Sequence, residues 1–222
     1  MFYEKQCVKF TWTFRLILVV CVGFLVWSTS NLWVTAVGHG LVCQEEIGQA
    51  DALLVENFDD DYLLFERAEE LRRAGRAGRV LVTTFTAADG SESRVHDGVA
   101  ELMARIARLE NVEVVPLREQ EPISLNAATQ IRDALTTQNI RSVAVITSGF
   151  RSTRSFLVYQ AVLGRAGIAV SCVPVFGQTT PESWPKTWHG IQNVTEQFFK
   201  LQYYRFYVLP VDARRHRLGP HG

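Results

Sequence analysis

A chain of 222 residues is long enough for one good-sized domain and short for two. Its 23 basic residues balance 23 acidic ones, so no whole-molecule field favours nucleic acid as a partner. A hydrophobic share of 47% suits a packed core and excludes a largely disordered chain.

The N-terminal stretch FRLILVVCVGFLVWSTSNLWVTAVG, residues 14–38, carries a single charge, Arg15. Residues 16–37 are 22 uncharged positions, enough for a helix to cross a bilayer core of about 30 Å. Trp12, Trp27 and Trp33 are candidate interfacial anchors. Lys5, Lys9 and Arg15 precede the stretch, and the next basic residue after it is Arg67. That asymmetry predicts residues 1–15 in the cytoplasm, a transmembrane anchor over 16–37 and the rest of the chain outside. A cleavable signal peptide is the alternative, although the apolar run continues past the usual signal-peptide length. Either way the domain is exported. Of the cysteines, Cys43 and Cys172 would then share an oxidising compartment. Two separate buried thiols are expected there, with a disulfide as the alternative.

Beyond the anchor, short apolar runs alternate with helical patterns. Strands are predicted at ADALLV (50–55), RVLVTT (79–84), VEVVP (112–116), RSVAVIT (141–147) and IAVSCVPV (168–175). Between them lie helices with inward stripes Leu64, Ala68 and Leu71, then Val95, Val99, Leu102, Met103 and Ile106, then Ala128, Ile131 and Leu135. Ser124 is the expected N-cap of the third of these. The helix at 152–165 is apolar on most sides. This order predicts an α/β fold: a three-layer Rossmann-like domain over 50–207 with a mainly parallel five-stranded sheet. A last helix, about 188–207, carries Ile191, Val194, Phe198 and Leu201 at helical spacing. It is expected on the sheet or against the membrane. Residues 208–222 form a basic tail, with a solvated end as the default.

Ligands of open parallel sheets sit beyond the carboxyl ends of the strands. Those ends carry Glu56 and Asn57, Thr83 and Thr84, Ser124 and Asn126, and Thr147, Ser148, Gly149, Arg151 and Arg154. At the fourth strand, free amides of a helix start, a permissive glycine and two arginines at i and i+3 all favour one bound oxyanion. The predicted ligand-binding set is Ser124, Asn126, Thr147, Ser148, Arg151 and Arg154. No Walker A, GxSxG or HExxH pattern is present, and His39, His96 and His189 are scattered. No cofactor, metal or catalytic residue is expected.

The segments SLNAATQ (124–130), VITSGFRSTRS (145–155) and WHGIQNVTEQFFKLQYY (188–204), in that order behind an anchor, resemble the YdcF/SanA/ElyC family of bacterial envelope proteins. Ser124 and Asn126 match its third-strand motif, but Thr129 stands where that family has a glutamate. Thr147, Ser148, Phe150 and Arg154 match its fourth-strand motif, but Arg151 stands where a histidine is usual. ENFDDD (56–61) replaces its Gly-rich loop, and Glu196 is kept in the last helix. The resemblance implies a single-pass inner-membrane protein with a periplasmic domain, linked to cell-wall or surface-polysaccharide precursors. A phosphorylated small molecule or lipid carrier is the implied ligand. The replaced acid–base positions weigh against turnover. The alternative is a non-catalytic accessory subunit of a membrane complex.

Overall fold

The computed structural model describes residues 11–45, 48–58, 61–86 and 93–218. The uncharged stretch expected as one span divides at Thr29 into α1 (Trp12–Ser28) and α2 (Ser30–Gly40). Ser28 and Thr29 both donate their hydroxyls to the Leu25 carbonyl, at 3.1 and 2.7 Å. Such back-bonding competes with the backbone ladder and bends helices. The two helices have different surroundings. The apolar residues of α1, from Leu16 to Leu25, are exposed. By contrast α2 is packed: Val34 and Val37 lie against a cluster of Leu41, Phe150, Trp184, Val194 and Leu201. The Trp184 indole donates to the Val34 carbonyl at 3.3 Å. Among the described residues, no helix is long and apolar enough to cross a membrane.

The domain alternates β1 (Ala52–Val55), α3 (Tyr62–Arg73), β2 (Arg79–Thr86), α4 (Ser93–Ile106), β3 (Val112–Arg118), α5 (Ile123–Thr137), β4 (Ser142–Ser148), α6 (Ser152–Leu163) and β5 (Ala169–Val175). All five strands are parallel, in the order β3-β2-β1-β4-β5. The residues of β1 are buried on both faces, as a central parallel strand requires. Leu53 and Val55 pack with Leu64, Phe65 and Ala68 of α3 and with Ala100 and Ala104 of α4. Ala52 and Leu54 point the other way, into a cluster with Ile131 and Leu135 of α5 and Val158 and Val162 of α6. The expected three-layer Rossmann-like sandwich follows from this alternation.

Two local expectations are corrected. In α4 the buried face is Ala100, Ala104 and the following Ala107, whereas Val95, Leu102 and Ile106 are exposed. Alanine lets the helix lie close on the sheet, and Thr84 fixes the helix's rotation by donating to Asp97 at 2.7 Å. Ser124 does not cap α5, which begins at Ile123 after Pro122. The basic tail is exposed at 213–217, as expected of a solvated end, but it continues the last helix rather than standing apart from it: α7 (Trp188–Tyr203) passes through a π-helical turn, Tyr204–Val208, into α8 (Leu209–Leu218). Arg165 pins α8 through an ion pair with Asp212 at 2.6 Å.

Cys43 and Cys172, expected as separate thiols, are joined in a disulfide. Docking of α2 brings its end beside β5, with the two Cα atoms 6.4 Å apart across a sequence separation of 129. The first turn of α7 is equally constrained. A Cβ on Gly190 would stand 2.2 Å from the Trp184 carbonyl oxygen, a contact only backbone movement relieves. Gly190→Ala is expected to destabilise the protein by about 1–3 kcal/mol in chemical denaturation, the usual range for overpacking. An unchanged midpoint would show that the Trp184 turn yields freely.

Candidate functional site

The strand order reverses direction between β1 and β4, and in doubly wound sheets that switch point opens a crevice at the carboxyl ends of the strands. A cavity of about 500 Å³ occupies this end of the sheet. Among the described residues its wall takes Asn57 and Phe58 from beyond β1, Thr84 and Phe85 from β2, and His96 from α4. The β3–α5 connection adds Glu119 and Glu121, and the start of α5 adds Ser124. Arg151 and Arg154 come from beyond β4, and Lys200, Tyr203 and Tyr204 from the last helix.

Arg151 and Arg154 are both buried and both reach this cavity. Their guanidinium groups lie over aromatic faces: Arg151 over Phe58 at 5.7 Å and Arg154 over Tyr204 at 5.5 Å. Ring faces carry negative charge density and hold the flat cations in place. Arg154 also donates to the Gln197 side-chain oxygen at 3.1 Å. Tyr204 ties the wall together, because its hydroxyl accepts the Ser124 backbone N–H at 3.0 Å. It stands in the π-helical turn, a distortion common at functional sites. On the rim, Lys200 forms an ion pair with Glu196. The hydrogen bond from Lys200 holds the Glu196 carboxyl below its usual range, assisted by the charges of Arg151 and Arg154.

The main-chain part of the expected site is arranged differently. A 3-10 turn, Gly149–Arg151, precedes α6, and the Thr153 amide donates to the Leu41 carbonyl at 3.1 Å. The segment after α2 thus covers part of the helix start that was expected to face a ligand. Cys43 N–H donates to the Ser152 hydroxyl at 2.9 Å, and that hydroxyl donates to the Gly149 carbonyl. Gly149 is needed for packing. A Cβ there would fall 2.1 Å from the Phe176 ring.

Of the six predicted ligand residues, the structure brings Ser124, Arg151 and Arg154 to one cavity. Ser148 lines a second cavity of about 370 Å³ with Glu56, Asp61, Asn193 and Gln197, and Arg151 borders both. Thr147 is wholly buried, and its hydroxyl donates to the Glu56 carboxylate. Asn126 turns its amide onto the Gln120 carbonyl at 3.1 Å, closing its own loop. Thr129 bonds back to the Leu125 carbonyl at 3.0 Å.

No protein-family model matches the chain, and no curated protein does either.

What the site can do rests on its own geometry. The acidic loop after β1 does not present Glu56 to the main cavity. That carboxylate is buried and accepts from Thr147 and from Ser155 at 2.6 Å. Burial pushes the neighbouring Tyr159 phenol well up, and the Glu56 charge adds to the effect. Asp61 caps α3 by accepting the Leu63 amide at 3.0 Å, while residues 59–60 lie outside the described residues. Among the described residues, the carboxyl groups on the main cavity are Glu119 and Glu121, which neither the strand ends nor a motif singles out. Sequence reasoning also missed Phe58, Phe85 and the trio Lys200, Tyr203 and Tyr204. The i, i+3, i+4 spacing of that trio was the available signal. The described wall mixes two buried guanidinium groups, the Lys200 ammonium paired with Glu196, the carboxyls of Glu119 and Glu121 and four aromatic rings; the buried arginines and the rings are the part suited to an anion with an apolar or ring-bearing body.

Proposed function

We propose that this chain is a membrane-anchored envelope protein whose domain binds a phosphate-bearing ligand at the carboxyl end of its sheet. The observation that carries the reading is the convergence of buried Arg151 and Arg154 on one cavity. Guanidinium groups give charge-assisted hydrogen bonds, which are among the stronger ones available to an anion. Arginine presents a planar fork that matches phosphate oxygens in pairs. Phe58, Phe85 and Tyr203 supply the surface for the rest of the ligand. No reaction is assigned.

Export and anchoring are supported by two features. The exposed apolar helix α1 has the surface of a segment made for lipid; its 17 residues rise about 25 Å, less than a bilayer core of about 30 Å, so as an anchor it would need local thinning of the bilayer. The Cys43–Cys172 disulfide suits an oxidising compartment. In this reading α1 is the anchor, α2 stays with the domain, and the domain faces the periplasm. The resemblance to the YdcF/SanA/ElyC proteins agrees and suggests a cell-wall or surface-polysaccharide precursor as the ligand class.

The test is calorimetric titration of the full chain in nanodiscs with inorganic phosphate, a nucleoside diphosphate and a polyprenyl phosphate. Saturable binding of at least one, competed by another phosphate, is expected; absence of heat with all three sinks the reading. A second reading, a non-catalytic accessory subunit, is favoured by the exposed stripe Val95, Leu102 and Ile106 on α4. Gentle extraction followed by sizing decides it: a lone monomer counts against a stable complex.

A further inference from the structure

The helix that completes the cavity has a second face. Val194 and Leu201 of α7 are buried, while Trp188, Phe199 and Phe206 stand on the opposite side, 74, 67 and 72% exposed. An outward stripe of large aromatic residues is costly in water and common where a helix lies in a membrane interface. The position of this stripe says what covers it. Trp184, four residues before Trp188, holds α2 through its bond to Val34, and α2 continues directly from α1. The apolar N-terminal helix therefore joins the domain beside the start of the aromatic stripe. Arg205 and, farther along, Arg214, Arg215 and Arg217 are exposed on the same helical rod, as contact with anionic headgroups requires.

We propose that the outward face of α7 and the π-helical turn lies on the bilayer surface, so that the cavity opens at headgroup level. The second half of this statement rests on the anion reading above. Tyr203 connects the two, because it lines the cavity, is itself half exposed and stacks on the exposed Tyr207 at 5.5 Å. A ligand would then enter from the membrane side, its phosphate towards Arg151 and Arg154 and its apolar part along the aromatic rim. The chemistry is that of a phosphate ester carried on a lipid.

The experiment uses the full chain in liposomes containing anionic lipid, with Cys7→Ser and Cys21→Ser so that a nitroxide can be placed alone. Labels at F199C and F206C are compared with one at L102C, which is exposed on α4 across the sheet. The expected result is collision with oxygen severalfold above that with a water-soluble nickel complex at both aromatic positions, and the reverse at L102C. Water-dominated collision at either aromatic position overturns the proposal. So does strong dipolar broadening at F206C that vanishes on dilution with unlabelled chain, which would show a second copy covering the face. Inorganic phosphate and a polyprenyl phosphate are titrated into the same samples. Immersed labels without phosphate binding would leave the membrane face standing and remove the anion reading; phosphate binding with aqueous labels would do the opposite.

Discussion

Arg154→Ala is expected to weaken binding of a phosphate ester by on the order of ten- to a hundredfold, the loss of a charged hydrogen-bonding partner of about 1.5–3 kcal/mol. The residue is buried, lies over Tyr204 and bonds Gln197, so truncation also removes packing. Arg154→Lys separates the two contributions: it retains the charge but not the planar fork, and should recover part of the affinity. Both variants must keep a cooperative unfolding transition for the comparison to hold. Affinity unchanged in Arg154→Ala, with the fold intact, would place the anion elsewhere.

Removing the disulfide should give the largest stability effect. The Cys43–Cys172 bond closes a long loop, with 129 positions separating its ends. A link of this length restricts the unfolded chain strongly, and its loss from a domain typically costs about 2–5 kcal/mol. For a chain of this size that corresponds to a fall in Tm of roughly 5–15 °C. The paired variant Cys43→Ala with Cys172→Ala is expected to show it. The same change should loosen the strap that covers the start of α6, where the Leu41 carbonyl takes the Thr153 amide and Ser152 takes the Cys43 amide. Anion affinity should therefore fall as well, although neither cysteine lines the cavity. An unaltered Tm would show that the packing of α2 on Trp184 suffices to hold the segment.

Much of the fold was legible because central parallel strands are apolar on both sides. VAVI of β4 and ALLV of β1 can hardly be anything else between helical patterns of the right length. Arg151 and Arg154 were legible for a related reason: the end of a buried strand fixes where the next helix begins. The misses share one cause, which is that a local pattern does not name its partner. In α4 the branched residues look like the inner stripe, yet the small alanines face the sheet because α4 sits close and Asp97 is tied to Thr84. Asn126 looked like a ligand edge and instead serves its own loop. The stretch 16–37 is uniform in polarity, and only the docking of Val34 and Val37 on Trp184 distinguishes its second half from its first. Lys200, Tyr203 and Tyr204 lie far from the strand ends in sequence. Their place on the cavity depends on how this helix packs against the turn after β4 and against α6.

The most direct measurement is phosphorus NMR of a short-chain polyprenyl phosphate titrated against the full chain in nanodiscs, beside the double variant Arg151→Gln with Arg154→Gln. A guest held between the two guanidinium groups should broaden and shift with saturation in the native protein and stay sharp with the variant. An equally saturable signal in both, or in neither, would contradict the account at its centre.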